Sequence, residues 1–223
     1  MSEDKYKMSQ LLKKYAINLD DVQLNKLWKY HKLIQKRTQE SCLTGIRDFN
    51  EIILKHYVDC FIVQKLITIP FPLLDIGSGA GFPGILLKIL FPDEKIILAE
   101  SRKQRVQFLK EVTDSLYLDN THIFPKKINQ NFEIKVKAVI TRALEPISKT
   151  LPRVSSCLEK DGLAIFMKGP SVDKEIPDFK KSFSNEYIIL KNHAYALPLI
   201  NHQRRLVVLK RSKFSTKTLR AKN

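Results

Sequence analysis

Leu73-Leu74-Asp75-Ile76-Gly77-Ser78-Gly79-Ala80-Gly81-Phe82-Pro83-Gly84 is the stretch on which the fold turns. It holds four of the chain's seven glycines. Residues 69–76 are apolar and β-prone, which reads as a buried strand. Gly77, Gly79 and Gly81 allow a sharp turn and close approach of a ligand to the backbone. Pro83 suits the first turn of a helix, and Ile85, Leu86, Ile89 and Leu90 give that helix an apolar face. Strand, glycine loop and helix together make the unit that holds a nucleotide-like ligand at the end of a parallel sheet. The spacing narrows the ligand. A dinucleotide fingerprint needs G-x-G-x-x-G, but Phe82 stands where the third glycine would fall, and there is no G-K-[ST] triphosphate loop. Asp75 closes the strand just before the first glycine, where it would repel a pyrophosphate and favour a cation. A second strand, 95–99, ends at Glu100, whose carboxylate can accept both hydroxyls of a ribose. A phosphate-free, positively charged adenosine derivative satisfies all three features, and S-adenosylmethionine is that molecule.

The rest of the composition sets the context. A chain of 223 residues with 43% hydrophobic residues can bury a real core. Its formal charge of +16 points to a polyanionic partner, nucleic acid ahead of a membrane surface. Cys42, Cys60 and Cys157 are odd in number and lack CxxC spacing, which argues against a disulfide framework and against zinc. The polar start is unlike a secretory signal, and the longest apolar run is too short to span a bilayer. These features suggest a cytoplasmic protein without bound metal or membrane.

Ahead of the glycine loop the pattern is helical. Helices are expected over 5–16, 22–38 and 51–65, with Asp20, Asp21 and Asp48 as N-terminal caps. His31 falls on an apolar face and reads as a packed core residue. After the loop, strands and helices alternate, which argues for βαβ units and a parallel sheet. Strands are expected at 121–124, 135–140 and 163–167, helices at 103–116 and 147–158, and a closing pair of strands at 187–190 and 205–209. Residues 192–204 read as a loop. The expected architecture is α/β: a class I methyltransferase core with a mostly parallel seven-stranded sheet at 69–211. An N-terminal helical extension (1–68) packs on it, and a basic tail (212–223) follows.

The sequence resembles the RsmG family, also called glucose-inhibited division protein B, over roughly residues 24–210. The resemblance rests on Leu43-Thr44, Arg47, Asn50-Glu51, Lys55-His56 and Asp59, then on the glycine stretch with its Pro83-Gly84 continuation. Thr141-Arg142-Ala143, Lys168-Gly169 and 204–208 complete it. It implies S-adenosylmethionine-dependent methylation of guanine N7 at position 527 of 16S rRNA, in the small ribosomal subunit; the protein is expected to act as a monomer. The family's cofactor contacts fall on Gly77, Phe82, Ile128, Asn129 and Arg142. Asp75, Gly79 and Glu100 join them from the reading of the loop. Arg142 and Lys168, at the ends of two strands, are the candidate catalytic groups, acting by positioning and charge. Arg47, His56, Lys168, Arg204 and Arg205 are candidates for RNA contact. Guanine N7 carries an in-plane lone pair and no proton, so no general base is required. The chain accordingly shows neither an N/D-P-P-Y/F segment nor a Pro-Cys nucleophile, and Cys157 reads as a core thiol. The competing readings are a methyltransferase for another RNA or a protein, and a non-catalytic ribosome assembly factor.

Overall fold

A computed structural model describes residues 2–41, 45, 48–197 and 202–213. Arg47, one of the candidate RNA contacts, lies outside the described residues, as do Cys42 and most of the basic tail. Helices α1 (Glu3–Lys14) and α2 (Asp21–Ser41) come first, then α3 (Phe49–Ile52), a π-helical segment Ile53–Val58 and α4 (Asp59–Leu66). Two of the three expected caps form: Asp20 Oδ1 accepts from Gln23 N at 2.8 Å, and Asp48 Oδ1 accepts from Glu51 N at 2.8 Å, whereas Asp21 is the first residue of α2 itself. The core follows as β1 (Leu73–Ile76), α5 (Gly84–Leu90), β2 (Ile96–Ala99), α6 (Lys103–Leu116), β3 (Thr121–Phe124), β4 (Val136–Arg142), α7 (Ile147–Val154) and β5 (Leu158–Lys168). A 3-10 turn (Pro170–Lys174), α8 (Ile176–Phe183), β6 (Tyr187–Leu197) and β7 (His202–Arg211) complete it.

The seven strands are ordered β3-β2-β1-β4-β5-β7-β6. The first five are mutually parallel, and β7 runs antiparallel to both β5 and β6. β1 lies between β2 and β4, so the strand order reverses there and a crevice opens at the carboxyl ends of these strands. The glycine stretch sits in that crevice.

Each strand feeds two cores by its two-residue alternation. Leu73, Ala138, Ile140, Met167, Leu206 and Val208 face the side covered by α2, the π segment, α4 and α5. Leu74, Ile76, Val139, Phe166, Val207 and Leu209 face the side covered by α7 and α8. That alternation decides where the charged residues at the strand ends go.

Two expectations are corrected. The loop read at 192–204 is largely strand: β6 runs through Asn192, His193 and Tyr195, opposite Val207, Leu206 and Arg204 of β7. The edge strand β6 is largely exposed at these positions, so the apolar alternation that marks an inner strand is missing. Helix α7 ends at Val154 instead of running to residue 158, with Pro152 inside its last turn. Cys157 lies after it, buried, with its thiol donating to Val154 O at 3.4 Å.

Candidate active site

The glycine loop bends through three left-handed positions, with φ of +72° at Gly77, +59° at Gly79 and +104° at Gly81. A side chain is excluded at Gly77 for a further reason, since a Cβ there would lie 2.7 Å from Leu144 Cδ1. Between this loop and the ends of β2 and β3 is a cavity of about 290 Å³. Gly77, Ala99, Glu100, Ile128 and Leu144 contribute to its wall, and Arg102, Arg105, Lys126, Lys127 and Arg153 to its rim.

Glu100 is held by the backbone around it. Its Oε1 accepts from Ser101 N at 2.7 Å and Arg102 N at 2.8 Å, and its Oε2 accepts from Gly79 N at 3.1 Å. Arg105 Nη1 stands 3.7 Å from Oε2. These amides fix the carboxylate against the glycine loop, and Oε2 retains acceptor capacity toward the cavity. Glu100, Gly77 and Ile128 therefore line one cavity. Asn129, also expected there, is exposed and outside the cavity wall; its side chain accepts from Asn131 N at 2.9 Å.

Asp75 is not in the cavity wall. It shares a strand face with Leu73 and is fully buried behind the loop, where Oδ2 accepts from Gly84 N at 3.0 Å. Its Oδ1 has no partner among the described residues. Burial pushes its pKa up to about 7, against the opposing pull of the Gly84 amide. Asp75 thus shapes the loop from beneath instead of lining the cavity.

Phe82 packs away from the cavity, toward the helical extension. Its ring lies 4.7 Å from that of His56, 5.9 Å from Tyr30 and 6.0 Å from Tyr57, with Arg142 Cζ 5.8 Å from its centroid. The buried Tyr30 hydroxyl donates to Ala80 O at 2.6 Å. The extension therefore grips the glycine loop directly.

The strand-end cations separate by alternation. Arg142 shares a face with Ala138 and Ile140, and Arg204 with Leu206 and Val208, so both meet the helical extension. There they converge on Asp59, a fully buried carboxylate that the sequence reading did not assign a role. Arg142 Nε donates to Asp59 Oδ2 at 2.9 Å, and Arg204 donates from Nη2 to Oδ2 at 2.7 Å and from Nε to Oδ1 at 3.1 Å. Tyr195 Oη donates to Oδ1 at 2.8 Å. Burial alone would raise the Asp59 pKa, but the two guanidiniums outweigh it and hold it below the usual value. Arg142 Nη2 also donates to the Lys55 carbonyl at 2.7 Å, on the π-helical turn, and reaches His56 Nδ1 at 2.9 Å. His56 is held neutral, its pKa lowered to about 3 by burial and by Arg142, so Nδ1 can accept. Arg142 is thus absent from the cavity wall in which the family resemblance placed it.

Lys168 and Arg205 fall on the opposite face, toward the α8 side. Lys168 Nζ donates to Glu145 O at 2.6 Å and Glu175 Oε1 at 3.0 Å, and Glu175 Oε2 accepts from Ile147 N at 2.7 Å. Lys168 therefore braces the loop that carries Leu144 and Glu145 into the cavity. Arg205 Nη2 donates to Asp173 Oδ1 at 2.5 Å. The Arg204–Arg205 pair expected to contact RNA together is split across the sheet, and Arg204 is buried in the Asp59 cluster. Among the described residues no group of side chains has the arrangement of a metal site.

The strand order and the crevice at its reversal define the class I methyltransferase fold. A methyltransferase from Pyrococcus furiosus superposes with a TM-score of 0.57 at 14% identity, covering 70% of this chain and 83% of that one. A ribosomal protein L11 methylase from Lactobacillus delbrueckii gives 0.55 at 14% identity, covering 76% and 81%. The chain belongs to the GidB family, described as rRNA small subunit methyltransferase G, which it matches over residues 23–210. It is 43% identical over 204 residues to ribosomal RNA small subunit methyltransferase G 2 of Syntrophobacter fumaroxidans, covering 92% of this chain and 41% of that protein. It is 40% identical over 191 residues to the protein of that name from Bdellovibrio bacteriovorus, covering 86% and 75%. The chain thus spans under half the length of the Syntrophobacter relative.

Proposed function

We propose that the chain transfers the methyl group of S-adenosylmethionine to N7 of a guanine in small-subunit rRNA, position 527 by the family resemblance. The observation that carries this reading is Glu100, fixed by three backbone amides at the end of β2 and facing a cavity walled by Gly77. The residues fit the cofactor. Glu100 Oε2 can accept ribose hydroxyls, Ile128 offers an apolar wall, and Gly77, having no side chain, leaves the loop backbone itself as part of the cavity wall. When bound, S-adenosylmethionine supplies an electrophilic methyl group.

The chain's own part is orientation. Asp59, with four donor contacts, and His56, with its Nδ1 engaged, are committed to holding Arg142 and not to removing a proton. Guanine N7 requires no base, so a site whose buried carboxylate and neutral histidine only hold an arginine in place suits it. The exposed Lys126 and Lys127 offer phosphate contacts, which supply affinity and not sequence choice. We read residues 1–68 as a helical extension packed on the core, and the protein as a cytoplasmic monomer. No helix of the described residues is long and apolar enough to cross a membrane.

The test is mass mapping of methylated nucleotides in small-subunit RNA incubated with S-adenosylmethionine, with and without the protein. A single added methyl on guanine 527, recovered as 7-methylguanosine, is expected. A methyl on another nucleotide, on ribosomal protein, or on nothing would reject the assignment.

A further inference from the structure

Arg142 presents five N–H donors in a rigid plane. Its Nε and Nη2 are engaged by Asp59, Lys55 O and His56, all on the helical extension. Nη1 is the one guanidinium nitrogen without a hydrogen-bond partner among the described residues. The group stands at the carboxyl end of β4, next to the strand-order reversal, over the ring of Phe82. Asp59 in turn is shared with Arg204 and Tyr195 on the β6–β7 hairpin. Helical extension, central strand and hairpin are thus tied at one carboxylate, and the orientation of Arg142 follows from all three.

We propose that Asp59 is a positioning residue for base choice: it locks Arg142 so that the Nη1 amino group is the donor presented to O6 of the target guanine. This deepens, and rests on, the guanine-N7 reading. N7 and the 6-substituent lie on one purine edge, which reads acceptor–acceptor in guanine and acceptor–donor in adenine. A donor held at O6 orients the ring and leaves the N7 lone pair for the methyl group. The adenine amino group would set N–H against N–H. Lysine at this position would keep the charge but lose the planar fork that Asp59 grips.

The test compares small-subunit rRNA carrying guanine or 2-aminopurine at the target. The latter retains N7 and lacks O6. Single-turnover methylation rates at saturating S-adenosylmethionine give a guanine to 2-aminopurine ratio for the wild-type protein, Arg142→Ala and Asp59→Asn. The wild-type ratio contains the O6 contact together with the intrinsic difference between the two N7 atoms, whereas Arg142→Ala retains only the latter. The ratio is expected to fall about tenfold or more in Arg142→Ala, the loss of one such contact, and most of that way in Asp59→Asn. Cofactor affinity is expected to stay within about twofold of wild type in both, since neither residue lines the cavity.

Equal ratios in all three proteins overturn the O6 contact. A ratio that collapses in Arg142→Ala and stays at the wild-type value in Asp59→Asn overturns the part given to Asp59. A tenfold loss of cofactor affinity in Arg142→Ala assigns Nη1 to the cofactor and also overturns the proposal. Arg142→Ala leaves Asp59 paired with Arg204, so its fold is expected to persist. If melting curves show that Asp59→Asn does not fold, Asp59→Glu moves the carboxylate by one methylene, and a wild-type ratio there overturns the positioning role. Wild-type protein that methylates neither RNA sinks the guanine reading itself, a result distinct from all of these.

Discussion

Replacing Asp75 by Asn changes the pH dependence of stability in a way the structure quantifies. The carboxyl is fully buried, with one oxygen bonded to the Gly84 amide and the other without a partner among the described residues. Burial, reinforced by the Glu100 charge, raises its folded-state pKa from 3.8 to about 7. A raised folded pKa means that the native state holds the proton more tightly than the unfolded chain. The resulting stabilisation is fully present below pH 3.8 and is lost as the pH rises through about 7. Three pH units of displacement at 1.4 kcal/mol each amount to about 4 kcal/mol. Asn preserves the shape, can accept from Gly84 N, and does not titrate. Urea unfolding of both proteins at half-unit steps from pH 4 to 8 is therefore expected to give a stability difference that drifts by about 4 kcal/mol in favour of Asn. Taking the difference cancels His31 and His56, whose pKa values are lowered by burial to about 4 and about 3. Those two histidines act in the opposite sense: their stabilisation is present above the unfolded value of 6.5 and is lost as the pH falls. Two stability curves that run parallel across the range would refute the reasoning.

Gly77→Asp places a side chain on a left-handed residue, with its Cβ 2.7 Å from Leu144, and adds a charge beside the cavity. At least a tenfold loss of S-adenosylmethionine affinity is expected by calorimetry, and an unchanged constant would count against the loop assignment. Tyr30→Phe removes the buried hydrogen bond to Ala80 O and little else, so a loss of about 1–2 kcal/mol in urea unfolding is expected; no loss would mean that the extension does not hold the loop. RNA association is expected to weaken steeply with salt, with a log–log slope of about 0.7–0.9 per phosphate contact, measured by filter binding from 50 to 300 mM salt. A flat response would exclude a phosphate-led interface.

Much of the fold was legible because the glycine stretch and Glu100 constrain one another. A strand, a left-handed loop and an acid at the next strand's end leave few arrangements besides one crevice at the carboxyl edge of the sheet, and the strand pairing places them there. The site residues were harder to read because their roles depend on which sheet face they occupy. Period-two alternation from Ala138 and Ile140 to Arg142, and from Val208 and Leu206 to Arg204, places both arginines under the helical extension. The same count sends Lys168 and Arg205 to the other face. That signal lay in the sequence, but residue adjacency suggested a joint role for Arg204 and Arg205 that the sheet forbids. Asp59 also had a signal, as the one acid within the mostly apolar run 57–63, yet a helical pattern alone does not say that two arginines 83 and 145 residues away will reach it. The hairpin was misread because β6 is an edge strand whose exposed positions carry no hydrophobic alternation.

The most direct measurement is calorimetric titration of S-adenosylmethionine into the wild-type protein and into Glu100→Ala. The account predicts one saturable site in the wild type, weakened at least tenfold when the carboxylate at the end of β2 is removed. No binding to the wild-type protein, or equal affinity in the two, would contradict it.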